Sequence, residues 1–318
     1  MMSPRFLLRR LASLVPLLIG ISLLLFAVIH LAPGGPLDFY ADNPGVTPQA
    51  LAEMKAALGL DQPIHIQYFD WIKAFLQGQW GYSIRTSRPV LLEITERLPA
   101  TFLLGGVSLL IAFVIALPLG VISGVKRYTS IDYVLTLISF SGISLPVFWL
   151  ALMLQLVFAV SLHWLPSGGY EDIGGGSFGD HLAHMAMPVS ILAFATIAKW
   201  ARYMRASTIE VMRQDYIRTA RAKGQSHRGV VIHHAIQNAL MPFVTVVALD
   251  LVNIFSGTVI TEAVFSWPGI GKLFIQSMDG RDYPVLMGIM MIASLTLVLG
   301  NLLADVAYGL IDPRIEMA

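Results

Sequence analysis

Polar side chains inside otherwise apolar stretches are the residues of this sequence whose types and spacing could do chemistry. Asp250 and Asn253 lie three residues apart, and Asn301 and Asp305 lie four apart, so each pair shares one face of a helix. An ionisable group at membrane depth costs about 2.5–3.5 kcal/mol and usually faces a cavity or a partner. Asp250, Asn253 and Asn301 are therefore candidates for lining a solute pathway. Interhelical hydrogen bonding is an equal alternative for the first pair, and proximity to lipid headgroups is favoured for Asp305 and Glu262.

Motifs for enzymatic chemistry do not occur in the sequence. It contains no G-x-x-x-x-G-K-[ST] phosphate loop, no H-E-x-x-H metal motif and no G-x-S-x-G nucleophile elbow. It also has no cysteine, and its eight histidines are scattered. We therefore predict no catalytic residue, no metal site, no cofactor and no nucleotide site on this chain.

The composition is typical of an integral membrane protein. Hydrophobic residues make up 56% of the 318 residues and charged residues only 13%, against roughly a quarter charged in soluble domains. A net charge of +1 provides no basic face for nucleic acid. A membrane-spanning helix needs about 20 mostly apolar residues. Six stretches fit, the fourth only if its terminal basic side chains reach the headgroups: 11–32, 100–123, 133–162, 183–198, 239–260 and 284–304.

The distribution of basic residues supports six spans with both termini in the cytoplasm. In that arrangement the inner side carries 14 of the 21 Lys and Arg residues, including the basic run 202–228. Removing the fourth span would place that run on the outer side. The basic N-terminus before an apolar run also resembles a cleavable signal peptide, but the length of the run favours an uncleaved first helix.

The segments that connect the spans divide the chain into two predicted regions. Residues 1–99 combine the first span with an outer segment, where Thr47 caps a short helix that Gly59 ends, and a second amphipathic helix ends at Gly78. Residues 100–318 form a five-helix core that contains the inner segment 209–224. The glycine-rich outer segment 163–182 is predicted to be a flexible loop.

The inner segment 209–224 is the most informative one. Ile209, Met212, Tyr216 and Ala220 are spaced as one stripe of a basic amphipathic helix, which Gly224 ends. Such a helix can simply keep a cytoplasmic loop soluble, it can lie on anionic lipid, or it can fit a groove on a cytoplasmic protein. Periodicity alone leaves these three alternatives open.

The chain resembles the B-type permease subunits of bacterial ATP-binding-cassette importers for dipeptides, oligopeptides and nickel. DYIRTARAKG at 215–224 and HAIQNALMP at 234–242 are similar to that family. The similarity extends over essentially the whole length through the segments 8–34, 58–68, 80–90, 97–101, 265–271, 281–285 and 312–315. The resemblance implies the type I importer permease fold, an inner-membrane location and a coupling helix at 209–224 that seats on an ATPase.

The resemblance also implies roles for individual residues of the coupling helix. Arg218 stands where the general importer motif has glutamate, and the spacing from Gly224 to Pro242 is longer than in that motif, as the peptide branch shows. Tyr216 and Ala220 are expected in the groove of the ATPase, with charged residues pairing at its rim. The complete set expected to couple to the ATPase is Asp215, Tyr216, Arg218, Thr219, Ala220, Lys223 and Gly224.

The partners implied by the resemblance are a second, different permease subunit, two cytoplasmic ATPases and a periplasmic or lipid-anchored solute-binding protein. Membrane lipid surrounds the chain, and no nucleic acid is expected. Peptides are the favoured cargo, with nickel as the alternative within the family. An alternative of another class is a membrane scaffold or receptor whose basic loop binds lipid.

Overall fold

The computed structural model describes residues 4–31, 45–57, 59–252 and 254–311, and the regular structure in these ranges is helical. One isolated bridge pairs Tyr82 with Pro89. The helices are α1 (Pro4–Leu31), α2 (Pro48–Ala57), α3 (Ile64–Leu76), α4 (Val90–Val125), α5 (Ser130–Ser144), α6 (Val147–Leu154), α7 (Phe178–Val211), α8 (Asp215–Ala222), α9 (His227–Val230), α10 (Gln237–Val252), α11 (Ile254–Val264), α12 (Ile270–Asp279) and α13 (Tyr283–Ile311). Turns of π-helix at Gln155–Ser161 and Val231–Ile236 follow α6 and α9.

Four helical segments in the described ranges are long and apolar enough to cross a membrane. They are Val90–Val125, Phe178–Val211, His227–Val252 and Tyr283–Leu302. The bent pair Ser130–Ser144 and Val147–Ser161 makes a fifth if it is counted as one span. Helix α1 contains the shorter apolar segment Ala12–Val28. The all-helical, multi-span fold is confirmed, and the number of six spans stays a prediction.

The predicted span 133–162 is not one straight helix. Helix α5 ends at Ser144, α6 begins at Val147, and the two are bent by 100°. Pro146 explains the break, because a proline disfavours helical geometry in the residue before it. Leu145 accordingly has extended backbone angles, with φ −83 and ψ 129.

Helix α7 is longer at both ends than the predicted span 183–198. It begins after Ser177, whose side chain accepts a hydrogen bond from the Asp180 backbone N–H at 3.2 Å, and it continues to Val211. The prediction ended the span before Lys199 and expected its terminal basic side chains to reach the lipid headgroups. In the structure the helix continues past Lys199 and Arg205, which are paired with acidic side chains of other helices.

The helix of the fifth predicted span, 239–260, begins earlier in the structure. Ser226 caps α9 by accepting from the Gly229 N–H at 3.2 Å, and the helical path continues through the π-helical turn into α10. Pro242 lies inside α10. Transmembrane helices tolerate a proline in their interior, so Pro242 does not mark the start of the span.

The two short helices of the outer segment are confirmed. Thr47 accepts a hydrogen bond from the Ala50 N–H at 3.2 Å, and α2 begins at Pro48. Gly59 and Gly78 have φ values of +66° and +77°, which glycine adopts without steric cost, and they follow the ends of α2 and α3.

By internal packing the chain divides into two compact units, Met1–Pro99 with Lys272–Ala318, and Ala100–Gly271. In the described part of the first unit, α1 packs against α13 and α3, and Ser22 hydrogen-bonds Tyr68 at 2.9 Å. The second unit contains the bent helix pair, α7 to α11 and an apolar cluster that includes Trp200 and Phe243. The predicted functional division into 1–99 and 100–318 stays a prediction.

Candidate functional site

The inner segment 209–224 consists of two helices rather than one. Helix α7 ends at Val211, and Gln214 has extended angles of φ −70 and ψ 151 before α8 begins at Asp215. The predicted stripe from Ile209 to Ala220 is therefore wrong, because its two ends lie on different helices.

Helix α8 buries one face in the core of its own unit. Ile217 is fully buried and Ala220 is 7% exposed, and both belong to an apolar cluster with Trp200, Val230 and Phe243. This corrects the expected placement of Ala220 in the groove of a partner. Sequence reasoning missed Ile217, although its spacing of three residues from Ala220 places both on one helical face.

The other face of α8 is directed away from that core. Tyr216 is 43% exposed, and the side chains of Asp215 and Arg218 are 90% and 77% exposed. Thr219 and Lys223 are exposed as well. Partial burial raises the pKa of the Tyr216 phenol, so its hydroxyl remains a hydrogen-bond donor at neutral pH. Helix α8 therefore presents one aromatic ring surrounded by polar groups.

Short-range contacts stabilise the exposed face of α8. Arg218 Nη2 lies 3.2 Å from Asp215 Oδ1, and the Thr219 hydroxyl donates to the Asp215 carbonyl at 3.0 Å. An exposed ion pair of this kind adds only about 0.3–0.5 kcal/mol. Both charged groups stay accessible to a partner.

Gly224 ends α8 as predicted. It has φ +82°, and its N–H donates to the Arg221 carbonyl at 2.9 Å, while the Gln225 N–H donates to the Ala220 carbonyl at 3.3 Å. These two bonds form the Schellman motif, which needs a left-handed residue at this position. The chain then turns directly into α9 at His227.

A side-chain contact connects this turn to the helix that follows. Gln225 Oε1 and His234 Nε2 are 2.9 Å apart. His234 lies in the π-helical turn that leads into α10, and Val230 and Ala235 of the same stretch are fully buried in the cluster that holds Ile217. Helix α8 is therefore attached to α10 both through the backbone and through packing.

Asp250 joins two helices. Its Oδ1 lies 2.6 Å from Lys199 Nζ, and its Oδ2 accepts from the Trp200 indole N–H at 2.6 Å. Both carboxylate oxygens therefore bind side chains of α7, as expected if Asp250 makes hydrogen bonds between helices rather than lining a solute pathway. Asn253 lies outside the described residues, and Asn301 is exposed on α13. The assignment of these residues to a solute pathway stays a prediction.

Glu262 was expected near the lipid headgroups, but the structure encloses its side chain in protein. It is fully buried, and its Oε2 accepts from the Gly271 N–H at 2.7 Å. Thr101 Oγ1 accepts from the Ile270 N–H at 2.8 Å in the same region. A Cβ on Gly269 would lie 2.2 Å from Glu262 Oε2, so the segment 265–271 closes tightly around this carboxylate. The side chain of Asp305 lies outside the described residues.

A buried ion pair between α5 and α7 was missed. Asp132 is 1% exposed and accepts two hydrogen bonds from Arg205, at 2.7 and 2.8 Å, and one from the Tyr128 N–H at 2.9 Å. Ser123 donates to the same carboxylate. Sequence reasoning counted Arg205 only as an inner-loop charge, because no sequence spacing links it to Asp132.

Close helix packing beside this ion pair had a recognisable sequence signal. A Cβ on Gly120 would lie 2.5 Å from Met204 Cβ, and one on Gly124 would lie 2.7 Å from Thr208 Cβ. The two glycines form a G-x-x-x-G pattern on apolar helix α4, which allows close approach of a second helix. That pattern would have predicted that a second helix packs closely here, although not that this helix is α7.

Two family models match the chain. Residues 116–317 match the binding-protein-dependent transport system inner membrane component, and residues 2–105 match the N-terminal membrane component of binding-protein-dependent transport systems.

Curated relatives match over almost the full length. The oligopeptide transport system permease protein AppB of Bacillus subtilis is 40% identical, covering 98% of this chain and 99% of the relative. The dipeptide transport system permease protein DppB of Escherichia coli K12 is 37% identical, covering 98% of each. The solved inward-facing methionine ABC transporter MetNI has a TM-score of 0.53 at 19% identity, covering 70% of this chain and 99% of that chain. This likeness concerns the fold.

Proposed function

Since the chain belongs to the family of binding-protein-dependent transport system inner membrane components, we propose that it is a permease subunit of an ATP-driven importer of dipeptides or short oligopeptides. The observation that carries this proposal is the near full-length similarity to permeases named for dipeptides and oligopeptides. The apolar helices place the chain in the membrane as a multi-pass protein.

The peptide cargo is tested by reconstituting the chain with its co-encoded partners in proteoliposomes. We expect ATP-dependent accumulation of a labelled di- or oligopeptide that requires the solute-binding protein. The matched control contains an ATPase subunit that cannot hydrolyse ATP, and it should show no accumulation. Uptake of Ni²⁺ without any peptide would instead select the alternative cargo.

In the proposed assembly this chain forms a gate with a second, different permease subunit. Two separate ATPase subunits supply the energy, and an external solute-binding protein delivers the peptide. The proposal is supported by the missing phosphate-loop motif in the sequence. Vesicles that contain only this chain should hydrolyse no ATP, and hydrolysis there would contradict this division of labour.

The proposed topology places both termini and α8 in the cytoplasm. The excess of Lys and Arg in the inner segments supports this orientation. The absence of cysteine makes a direct test possible. A cysteine at Lys223 should react with a membrane-impermeant thiol reagent only in inverted vesicles, and one at Glu171 only in intact cells. The opposite pattern would reverse the topology.

We propose further that the exposed face of α8 contacts an ATPase subunit. Tyr216, Thr219 and Lys223 supply its centre, and Asp215 and Arg218 supply charged groups beside it. The buried face, Ile217 and Ala220, holds the helix in the permease core. This arrangement would transmit movement of the ATPases through Gly224 to α10, because α8 and α10 share one cluster.

A further inference from the structure

Three potential metal ligands converge at the start of α7. Asp172 lies in the loop before this helix, and Asp180 and His184 lie one turn apart on it. The ligand atoms of the three side chains all lie within 4.8 Å of one another. Residues four apart on a helix are neighbours on one face, so α7 itself aligns two of the three groups.

The imidazole of His184 is oriented for metal binding. Its Nδ1 lies 3.0 Å from the Gly168 carbonyl oxygen. Since a carbonyl only accepts hydrogen bonds, Nδ1 carries the proton, and in the neutral ring Nε2 has a free lone pair. The side chain is 3% exposed, and its Nε2 makes no hydrogen bond to the described residues.

The lone pair of His184 faces negative charge. Nε2 lies 3.4 Å from Asp172 Oδ1 and 3.4 Å from Asp180 Oδ1. Three electron-rich atoms so close together repel one another unless a positive species lies between them. For bond lengths of about 2.0–2.2 Å, the ligands of a tetrahedral Zn²⁺ ion are about 3.4 Å apart. The two distances from His184 Nε2 match this value, and all three ligand atoms lie within 4.8 Å of one another.

The surrounding loop fixes the orientation of the Asp180 carboxylate. Its Oδ2 accepts hydrogen bonds from the Asp172 and Gly176 N–H groups, at 3.0 and 3.1 Å. A Cβ on Gly175 would lie 2.3 Å from the same oxygen. These contacts leave Oδ1 for a ligand bond, and hydrogen bonds of this kind orient metal ligands in proteins. The loop predicted to be flexible is attached here to α7.

We propose that Asp172, Asp180 and His184 bind one divalent first-row transition-metal cation, with water completing its coordination. One imidazole and two carboxylates suit Zn²⁺ and similar ions better than Mg²⁺ or Ca²⁺, which prefer oxygen ligands only. Asp172, whose side chain is 77% exposed, provides the entry path. The cation ties the loop to α7. The sequence predicted no metal site because these three residues match no recognised ligand motif.

The test uses the full chain in nanodiscs, purified without a histidine tag, treated with chelator and titrated with Zn²⁺ alone against a chromophoric chelator. We expect Asp172→Asn to weaken the tightest Zn²⁺ equivalent at least tenfold. The exposed position of Asp172 makes misfolding of this variant a minor concern. Glu171→Gln is the matched control. Glu171 is the neighbouring carboxylate, and its Oε2 lies 3.8 Å from His181 Nε2 rather than in the cluster. This variant should change the Zn²⁺ affinity less than threefold.

A spectroscopic measurement distinguishes a metal from a proton between the three groups. Co²⁺ added alone should give visible absorption bands in the wild-type chain and in Glu171→Gln, and Asp172→Asn should lack them. A proton shared between His184 and the carboxylates would instead leave wild type and Asp172→Asn with equal Zn²⁺ affinity and equal spectra. That result would overturn the proposal, whatever the transport assays show.

Discussion

Replacing Tyr216 with alanine should detach the ATPase while leaving the permease folded. The ring is the largest side chain on the exposed face of α8, and 43% of the residue is accessible. A tyrosine buries up to about 250 Å², so docking would remove about 100 Å² more from water. At about 25 cal/mol per Å², this burial contributes about 2.5 kcal/mol, which corresponds to an affinity about 70-fold weaker in Tyr216→Ala.

The affinity is measured by titrating fluorescent ATPase onto the permease pair in nanodiscs, with thermal unfolding of each variant in parallel. Tyr128→Ala is the matched control. Tyr128 is 64% exposed and lies in the turn between α4 and α5, which is predicted on the same side of the membrane. The control should change the affinity less than threefold, and both variants should unfold within a few degrees of the wild type.

Two results would refute this reasoning. If Tyr216→Ala bound the ATPase as tightly as the wild type, the exposed face of α8 would not be the contact surface. If Tyr128→Ala weakened binding equally, the effect would not be specific to α8. Either result would leave the family assignment intact, because that assignment rests on the whole sequence.

Three further predictions concern stability, measured as thermal or denaturant unfolding in one detergent. Ile217→Ala should lower the free energy of unfolding by about 2–5 kcal/mol, because Ile217 is fully buried; an unchanged midpoint would contradict its anchoring role. Asp132→Asn should lower it by at most about 3 kcal/mol, since the guanidinium of Arg205, whose side chain is 29% exposed, loses its charged partner. Gly120→Ala should destabilise the chain, as its Cβ would lie 2.5 Å from a side chain of α7, whereas Gly106→Ala has nothing within 4 Å and should not; equal effects would refute the close packing.

Apolar length and turn residues predicted much of the fold. The caps at Thr47 and Gly224 were correct, because each depends on one residue and its immediate neighbours. The errors arose where tertiary contacts override local patterns. Helix α7 continues past Lys199, whose ammonium group pairs with Asp250 of another helix, and no sequence spacing reveals that partner. The bend at Pro146 was predictable from local chemistry but was missed inside a long apolar run.

The candidate site was predicted less completely than the fold. The resemblance located α8, yet the prediction of its buried and exposed faces was partly wrong. The predicted apolar stripe assumed one continuous helix, whereas the chain turns at Gln214. Ala220 was placed outward and proved to be buried, while Ile217 was overlooked. The cluster of Asp172, Asp180 and His184 was also missed. Helix spacing aligns Asp180 with His184, but only the geometry of the loop brings Asp172 beside them.

The length of α8 explains why its two faces must act together. An isolated helix of fewer than about 12–15 residues is marginal in water, and α8 has 8 residues. Its helical form therefore depends on Ile217 and Ala220 in the core and on the Schellman end at Gly224. A force on the exposed face reaches α10 only while that anchoring holds. In the titration with fluorescent ATPase, Ile217→Ala should consequently weaken binding less than Tyr216→Ala does, and in proteoliposomes it should lower peptide uptake per ATP hydrolysed; unchanged coupling would contradict the anchoring role of Ile217.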